Sequence, residues 1–481
     1  MKLNYKKTIC VGFAFFLISM FWQVYDTVIA KILIDSFGLN QFWSGAVLAL
    51  DNIIAVVLLP VFGKLSDDTN TKWGKRTPYI VVGTVIAAAL IVVIGIIDRI
   101  QLNHLAAANI GAIEEVGEVF IYNGQEFLTK AEAVAVRDAA VKVVTANNTL
   151  TFIAFIGVLF FVLLAMASFR TPAVSLMPDV TVKPLRSKAN AVINLMGSAG
   201  GILALGMLAF LAKDYQSYVL VFIILAVFMI VALGIFLFTV NEKKLVSQMQ
   251  QDAIDYGLAS EEEIKESNDS SVKEVMPKDV LKSFLLILTS IIFWFMAYNA
   301  ATSKFSVYAT NLLNIGYSFP LMIAQGAAII SYLPIGMLAS KLGRKKTILL
   351  GICELFLAFV LGSFATEATK WFVYLIMPIA GIGWATINVN SYPMIVEMSK
   401  GSNVGKYTGF YYTASMTAQI ITPMLSGLLM DVIDIRVLFP YSALFCIFAF
   451  ITMSFVKHGD CKAIPTDKKQ VLEDTINALD D

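Results

Sequence analysis

Stretches such as "VVGTVIAAALIVVIGII" (81–97) and "YVLVFIILAVFMIVALGIFLFTV" (218–240) carry no charged residue, and runs of this kind recur along the whole chain. At 1.5 Å of rise per residue, roughly 20 apolar residues span a hydrocarbon core about 30 Å thick. Lipid offers no partner for backbone N–H and C=O groups, so each such run is expected to be a helix. Spans are predicted near 8–30, 41–63, 78–97, 149–177, 189–211, 217–240, 283–304, 318–340, 347–365, 371–396, 407–430 and 436–456, about twelve in all. Composition agrees: 58% of the 481 residues are hydrophobic and 15% charged, and the mean hydropathy is +0.75. Length here counts spans rather than soluble domains.

The net charge of +1 argues against a nucleic-acid partner. Cys10, Cys353, Cys446 and Cys461 show no pairing or metal spacing and read as isolated thiols. The first apolar run is too long for a signal-peptide core and is expected to be retained as a helix. Lys and Arg gather in the joints after the second, fourth, eighth and tenth spans and at both termini. By the positive-inside rule that side, with both termini, is expected to face the cytoplasm of a plasma membrane. The expected organisation is a first six-helix lobe (1–240) with an extracytoplasmic insertion (98–148), a charged linker (241–281), a second six-helix lobe (282–456) and a tail (457–481). An Ala-rich helix is expected within the insertion.

The halves echo each other, as in transporters built from internal repeats. "GKLSDDTNTKWGKR" (63–76) follows the second span and "GMLASKLGRKK" (336–346) the eighth; both open with Gly and close on a basic cluster. Gly63, Asp67, Asp68, Gly74, Lys75, Arg76 and Arg344 are therefore candidates for a cytoplasmic gate, in which glycine admits a neighbouring helix and the charges pair across lobes. The alternative is an ordinary positive-inside loop.

The first joint resembles the loop between the second and third spans of the major facilitator superfamily. The form is that of the glycoside-pentoside-hexuronide cation symporters and of the sucrose transporters. "FRTPAVSLMPDVTVKPLRSKANAVINLMGSAGG" (169–201) is similar to the fourth-to-fifth span region of that group, and "GIGWATINVNSYPMIVEMS" (381–399) to its tenth span. The resemblance implies an all-α membrane protein of about twelve transmembrane helices in two six-helix lobes. It also implies a central sugar cavity lined by the first, fourth, seventh and tenth helices and worked by alternating access.

Polar residues inside the spans point to the same cavity, because ionisable groups in hydrocarbon are costly without a partner or a wet cavity. Ser19, Trp22, Gln23 and Asp26 form one stripe at i, i+3, i+4, i+7. Asp51, with Asn52 beside it, lies near the middle of the second span. Arg170 sits in the fourth span before Pro172, and a guanidinium cannot discharge itself. Asp26 is its expected partner and Asp51 the alternative, with a substrate carboxylate a third possibility. Trp294, Tyr298 and Asn299 on the seventh span, Trp384 and Asn388 on the tenth and Gln419 on the eleventh add the aromatic faces and amides that suit a pyranose ring. Packing and interfacial anchoring are the alternative roles of these aromatics.

The sodium-coupled melibiose-permease pattern has acids where Ala55, Leu59 and Arg170 stand. A proton carried by Asp26 or Asp51, with Arg170 as the fixed cation, is thus expected ahead of sodium. No phosphate loop, nucleophile triad or metal-ligand cluster is present, and His104 and His458 are placed outside the spans. The expectation is not an enzyme but a monomeric secondary transporter, without a resident metal or cofactor, importing a glycoside of di- or oligosaccharide size. Sodium-coupled or uncoupled sugar transport, export of amphipathic compounds and a non-transporting sugar sensor remain the alternatives.

Overall fold

The computed structural model describes residues 3–39, 41–111, 113–116, 119–128, 130–211, 218–258, 277–313, 315, 318–399 and 403–460. Cys461 and the rest of the tail, Lys400 and much of the 241–281 linker lie outside them. Fourteen α-helices are described. The first lobe contains α1 (Tyr5–Lys31), α2 (Gln41–Asp68), α3 (Thr77–Ala107), the insertion helix α4 (Lys130–Asn147), α5 (Thr149–Asp179), α6 (Arg186–Leu211) and α7 (Val219–Thr239). A linker helix α8 (Glu242–Asp255) precedes α9 (Lys278–Asn311), α10 (Ser318–Leu342), α11 (Arg344–Gly362), α12 (Val373–Val396), α13 (Val404–Val432) and α14 (Leu438–Ser454).

Among the described residues ten helices are long and apolar enough to cross a membrane. Two more, α11 and α13, complete a bundle of twelve. Polar residues dilute both: α11 begins with three cations and holds Glu354, while α13 buries Thr408, Ser415 and Thr422. The outer faces of the bundle are apolar. Phe238, Phe210 and Ile330 are 94%, 80% and 77% exposed, a surface that water would not tolerate over such an area and lipid does.

Within the first lobe α1 packs on α6 and α7, and α3 on α5 and α7; within the second, α12 packs on α10 and α11, and α9 on α13 and α14. The lobes meet chiefly through α2 against α13 and α6 against α10, two pairs that exchange if the halves are superposed in order. Glycine makes the first seam possible: a Cβ at Gly63 would overlap the Gly405 carbonyl, and one at Gly409 would overlap Pro60. Ala55 and Leu59 of α2 fill the same seam against Met416.

The spans differ from expectation at their ends. α3 continues through Asp98 to Ala107, so the first ten residues assigned to the insertion, and His104, belong to this helix. The insertion holds α4 and also a three-stranded antiparallel sheet, β1 (Glu114–Val116), β2 (Val119–Tyr122) and β3 (Gln125–Phe127). Its tight turn is Asn123–Gly124, both at positive φ (49° and 77°), which matches the twist of a two-residue hairpin. The Asn-Gly pair between "VFIY" and "QEF" was the readable signal for it. α1 ends in a π-helical turn, Ile32–Ser36, which the insertion fastens: Arg137 Nη2 donates to Asp35 O (3.2 Å) and Thr145 Oγ1 to Phe37 O (3.1 Å). Cys10, Cys353 and Cys446 are free thiols.

Candidate substrate cavity and the sealed end

On α1 Trp22 and Gln23 are half-buried and Asp26 is exposed. Asp51 and Asn52 of α2, Arg170 of α5, Tyr298 and Asn299 of α9, Trp384 and Asn388 of α12 and Gln419 of α13 are half-buried. A Cβ at Gly201 of α6 would stand at ordinary contact distance, 3.7 Å, from Gln23 Oε1. Tyr298 and Trp384 stack at 4.0 Å and 7°, with Phe295 edge-on to the indole at 5.0 Å. This fixes an aromatic slab in the second lobe, with a geometry that favours a single rotamer for each ring.

Arg170 departs from expectation. Among the described residues no carboxylate lies within the 4.0 Å ion-pair limit of its guanidinium, so the Asp26–Arg170 pair is absent, as is its Asp51 alternative. Instead the guanidinium sits over Trp22 (5.3 Å to the ring centroid) and Tyr412 (4.9 Å). Both acids remain near enough for their charges to act on it. Aromatic faces thus hold the cation in place and leave its hydrogen-bonding edge available. Among the described residues Arg170 Nε, Trp22 Nε1 and Asn299 Nδ2 are buried donors without a partner, as is Trp294 Nε1, a costly state unless a guest with acceptor oxygens engages them. Tyr412, which sequence reasoning missed, is thereby part of the site; it lies one residue past Tyr411 in an aromatic pair that gave no hint which ring turns inward.

Trp294 is a second correction. It is 0% exposed and lies in the hydrophobic core cluster. Gln419 bonds weakly to its own helix, at Ser415 O (3.4 Å). Asn388 ties α12 to α6: its amide reaches Asn194 Oδ1 (3.4 Å) and its carbonyl accepts from Asn190 (3.1 Å).

The bundle is held shut at the end that carries the α2–α3 joint. Arg76, 1% exposed, bonds Asp67 Oδ1 (2.5 Å), Asp179 Oδ2 (2.7 Å) and Ser66. Burial alone would weaken its charge, but Asp179 and Asp67 more than offset that and hold its pKa above the ordinary value. Asp67 in turn accepts from the Gly405 and Lys406 amides (2.9 and 2.8 Å), capping α13 across the lobe boundary. Glu242, from the start of α8, accepts from Lys75 N (2.6 Å), Arg76 N (3.0 Å), Thr77 N (2.8 Å) and Thr77 Oγ1 (2.7 Å). Gly74, at φ +117°, has no room for a side chain beside that carboxylate.

The second joint builds a counterpart. Arg344 pairs with Glu397 (2.9 Å) and bonds Ser187 Oγ (2.9 Å) and Lys183 O of the other lobe; Asp460 caps its backbone N–H (2.7 Å). Arg186 adds a bond to Glu397 (3.4 Å). Burial pushes the Glu397 carboxyl up, but Arg186, Arg344 and Lys183 pull it down further, to a net position below its ordinary value.

Of the seven gate candidates, Gly63, Asp67, Gly74, Arg76 and Arg344 thus come together at this end. Lys75 contributes its backbone N–H, and Asp68 is exposed and makes none of the bonds across the seam, since its position on α2 turns it away from α13. Glu242, Asp179, Glu397 and Asp460 were missed. Each is one acid among many in a polar joint, and only the fold brings it to an arginine loop.

The family model of the Major Facilitator Superfamily matches residues 139–390 and 320–473. The chain belongs to the Major Facilitator Superfamily. The family described as MFS/sugar transport protein matches residues 10–96. Two curated relatives, lactose permeases of Lactobacillus helveticus and Leuconostoc lactis, are 40% identical over 63 residues and 35% over 65. Each match covers 13% of this chain and 10% of the relative, so the chain spans about a tenth of the relatives' length. Solved facilitators share the fold. The proton:xylose symporter XylE bound to 6-bromo-6-deoxy-D-glucose has a TM-score of 0.64 at 13% identity, covering 97% of this chain and 98% of that one. A bacterial homologue of the iron transporter ferroportin in an outward-facing state gives 0.62 at 13%, covering 94% and 99%. FucP in the outward conformation gives 0.56 at 14%, covering 94% and 98%. By its family this chain is a multi-pass membrane transporter and not an enzyme.

Proposed function

We propose that this facilitator imports a glycoside of di- or oligosaccharide size together with a proton, by alternating access, across a bacterial-type plasma membrane. Its termini and the sealed end face the cytoplasm, it works as a monomer, and the structure corresponds to its outward-facing state. Two observations support the reading: the Tyr298–Trp384 stack in the second lobe, and in the first lobe Arg170 held over Trp22, with Arg170 Nε and Trp22 Nε1 unpartnered among the described residues. A sugar offers a C–H face to the first and hydroxyl oxygens to the second. Small stretches of likeness to lactose permeases support a galactoside-like guest.

Proton coupling rests on two acids and one fixed cation in a common cavity. Ala55 and Leu59, where sodium-coupled relatives have acids, are packed into the α2–α13 seam. A guest that engages Arg170 changes the field on Asp26 and Asp51, which ties sugar binding to proton binding by the same factor in each direction. The test is uptake of a panel of labelled di- and trisaccharides into proteoliposomes. The reading expects saturable uptake of at least one sugar by the parent and its loss in Trp384→Ala; a panel without any uptake overturns it.

A further inference from the structure

A pocket of about 280 Å³ opens at the sealed end of the first lobe, lined by none of the candidate sugar-site residues. Its walls are the first turns of α1, the α5–α6 joint and the linker helix α8. It is smaller than the roughly 300–1,000 Å³ clefts that take drug-sized ligands, so its guest is small. Val11, Met177, Val182 and Leu185 make an apolar floor, and the rim is polar. Lys7 Nζ, which donates to Gln248 Oε1 (2.7 Å), and the exposed Asp252 put one charge of each sign on that rim. Asn4 Oδ1 is engaged in capping Lys7 N, while among the described residues the Asn4 and Gln248 amide nitrogens and the Thr181 hydroxyl make no bond within the protein. A balanced set of donors and acceptors over an apolar floor matches a neutral polyhydroxylated ring better than an anion or a cation.

The walls of this pocket are also the parts that hold the end shut. The α5–α6 joint supplies Asp179 to Arg76, the Pro178 and Thr181 carbonyls to Arg186 and the Lys183 carbonyl to Arg344 of the other lobe. The opposite wall, α8, begins with the Glu242 that caps α3. We propose that the pocket is a regulatory site for a neutral sugar of monosaccharide size, whose occupancy pins the joint in the arrangement that presents Lys183 O to Arg344. A guest that contacts the joint in this arrangement favours the sealed state by its differential affinity alone. The identity of the guest as a sugar released in the cytoplasm from imported glycoside rests on the proposed function; the pocket and its chemistry do not.

The experiment titrates D-glucose, D-galactose and D-mannose by calorimetry into the full chain in nanodiscs, as parent, Trp384→Ala and Met249→Trp. Met249 lines the pocket from α8, and an indole there fills it. The expected result is binding of at least one of these sugars that is unchanged in Trp384→Ala and weakened more than tenfold in Met249→Trp. Asp252→Ala, an exposed-residue change that spares the fold, should weaken it about tenfold, as loss of one hydrogen bond to a charged group does. No binding at tens of millimolar, or binding lost in Trp384→Ala and kept in both pocket variants, overturns the site. The same sugar loaded inside proteoliposomes should slow glycoside uptake by the parent and not by Met249→Trp; equal slowing of both overturns the regulatory role. If no glycoside is transported while binding insensitive to Trp384→Ala persists, it is glycoside import that falls and the pocket that stands.

Discussion

Replacing Gly405 by alanine tests whether the α2–α13 seam sets the conformational balance, because the change adds one methyl group and no charge. That Cβ would overlap the Gly63 carbonyl oxygen and stand 2.7 Å from Arg76 Nη1 and 2.9 Å from Asp67 Oδ1. All three neighbours are backbone or buried ion-pair atoms, so the helices must separate rather than a side chain swing aside. Overpacking of this kind costs about 1–3 kcal/mol. The cost falls on the sealed state alone, since opening that end parts α2 from α13. The ratio of sealed to open molecules should therefore fall by about 5- to 150-fold. The assay is thiol labelling of Ser175→Cys, a near-isosteric probe that is 0% exposed beneath the seam, in a background freed of native cysteines. Gly206→Ala, with nothing within 4 Å of the added Cβ, is the control and should label like the parent. Labelling in Gly405→Ala no faster than in Gly206→Ala would refute the reasoning.

Glu242→Gln keeps the acceptor oxygen but removes the charge from a carboxylate that serves three backbone amides and a hydroxyl; Ser175→Cys labelling should rise by about 10- to 150-fold, the range that roughly 1.5–3 kcal/mol of a charged hydrogen bond gives. Glu397 is held below the ordinary 4.5, so its contribution is fully present above that value and is lost only as pH falls through its lowered pKa. Labelling near the second latch should accordingly be flat between about pH 5 and 8, which a pH series on the parent checks. Tyr298→Ala should weaken sugar binding about three- to tenfold in calorimetry, by removing a stacked aromatic partner worth about 0.5–1.5 kcal/mol, without altering labelling of the sealed end.

The twelve spans were readable because lipid imposes one length and one chemistry on each, and the uncharged runs at 81–97 and 218–240 display both. Helix ends were not: Asp98 reads as the start of a loop, yet its carboxylate accepts from Ser36 Oγ (2.7 Å) and the helix continues past it. The stripe Trp22, Gln23, Asp26 was legible from helical spacing, and Arg170 from its cost in hydrocarbon. Its resting place between two aromatic faces was not, because pairing with an acid and stacking on rings satisfy a guanidinium comparably and only tertiary structure chooses. Trp294 failed for a related reason, since i, i+4 spacing with Tyr298 defines a broad helical face whose edge already lies in the core. Asp67 and Arg76 stood out in a motif, whereas Glu242 and Asp460 find their arginine loops 166 and 116 residues away, a distance over which spacing carries no information.

The most direct test of sugar movement coupled to protons through this cavity is accumulation of the transported glycoside in proteoliposomes. It would be driven separately by an imposed pH gradient and an imposed sodium gradient, with membrane potential clamped. The account predicts accumulation above equilibrium with the pH gradient and none with sodium. Asp26→Asn or Arg170→Gln should abolish accumulation while sparing exchange of preloaded sugar in at least one of them. Accumulation driven by sodium alone, or full pH-driven accumulation in both variants, would contradict it.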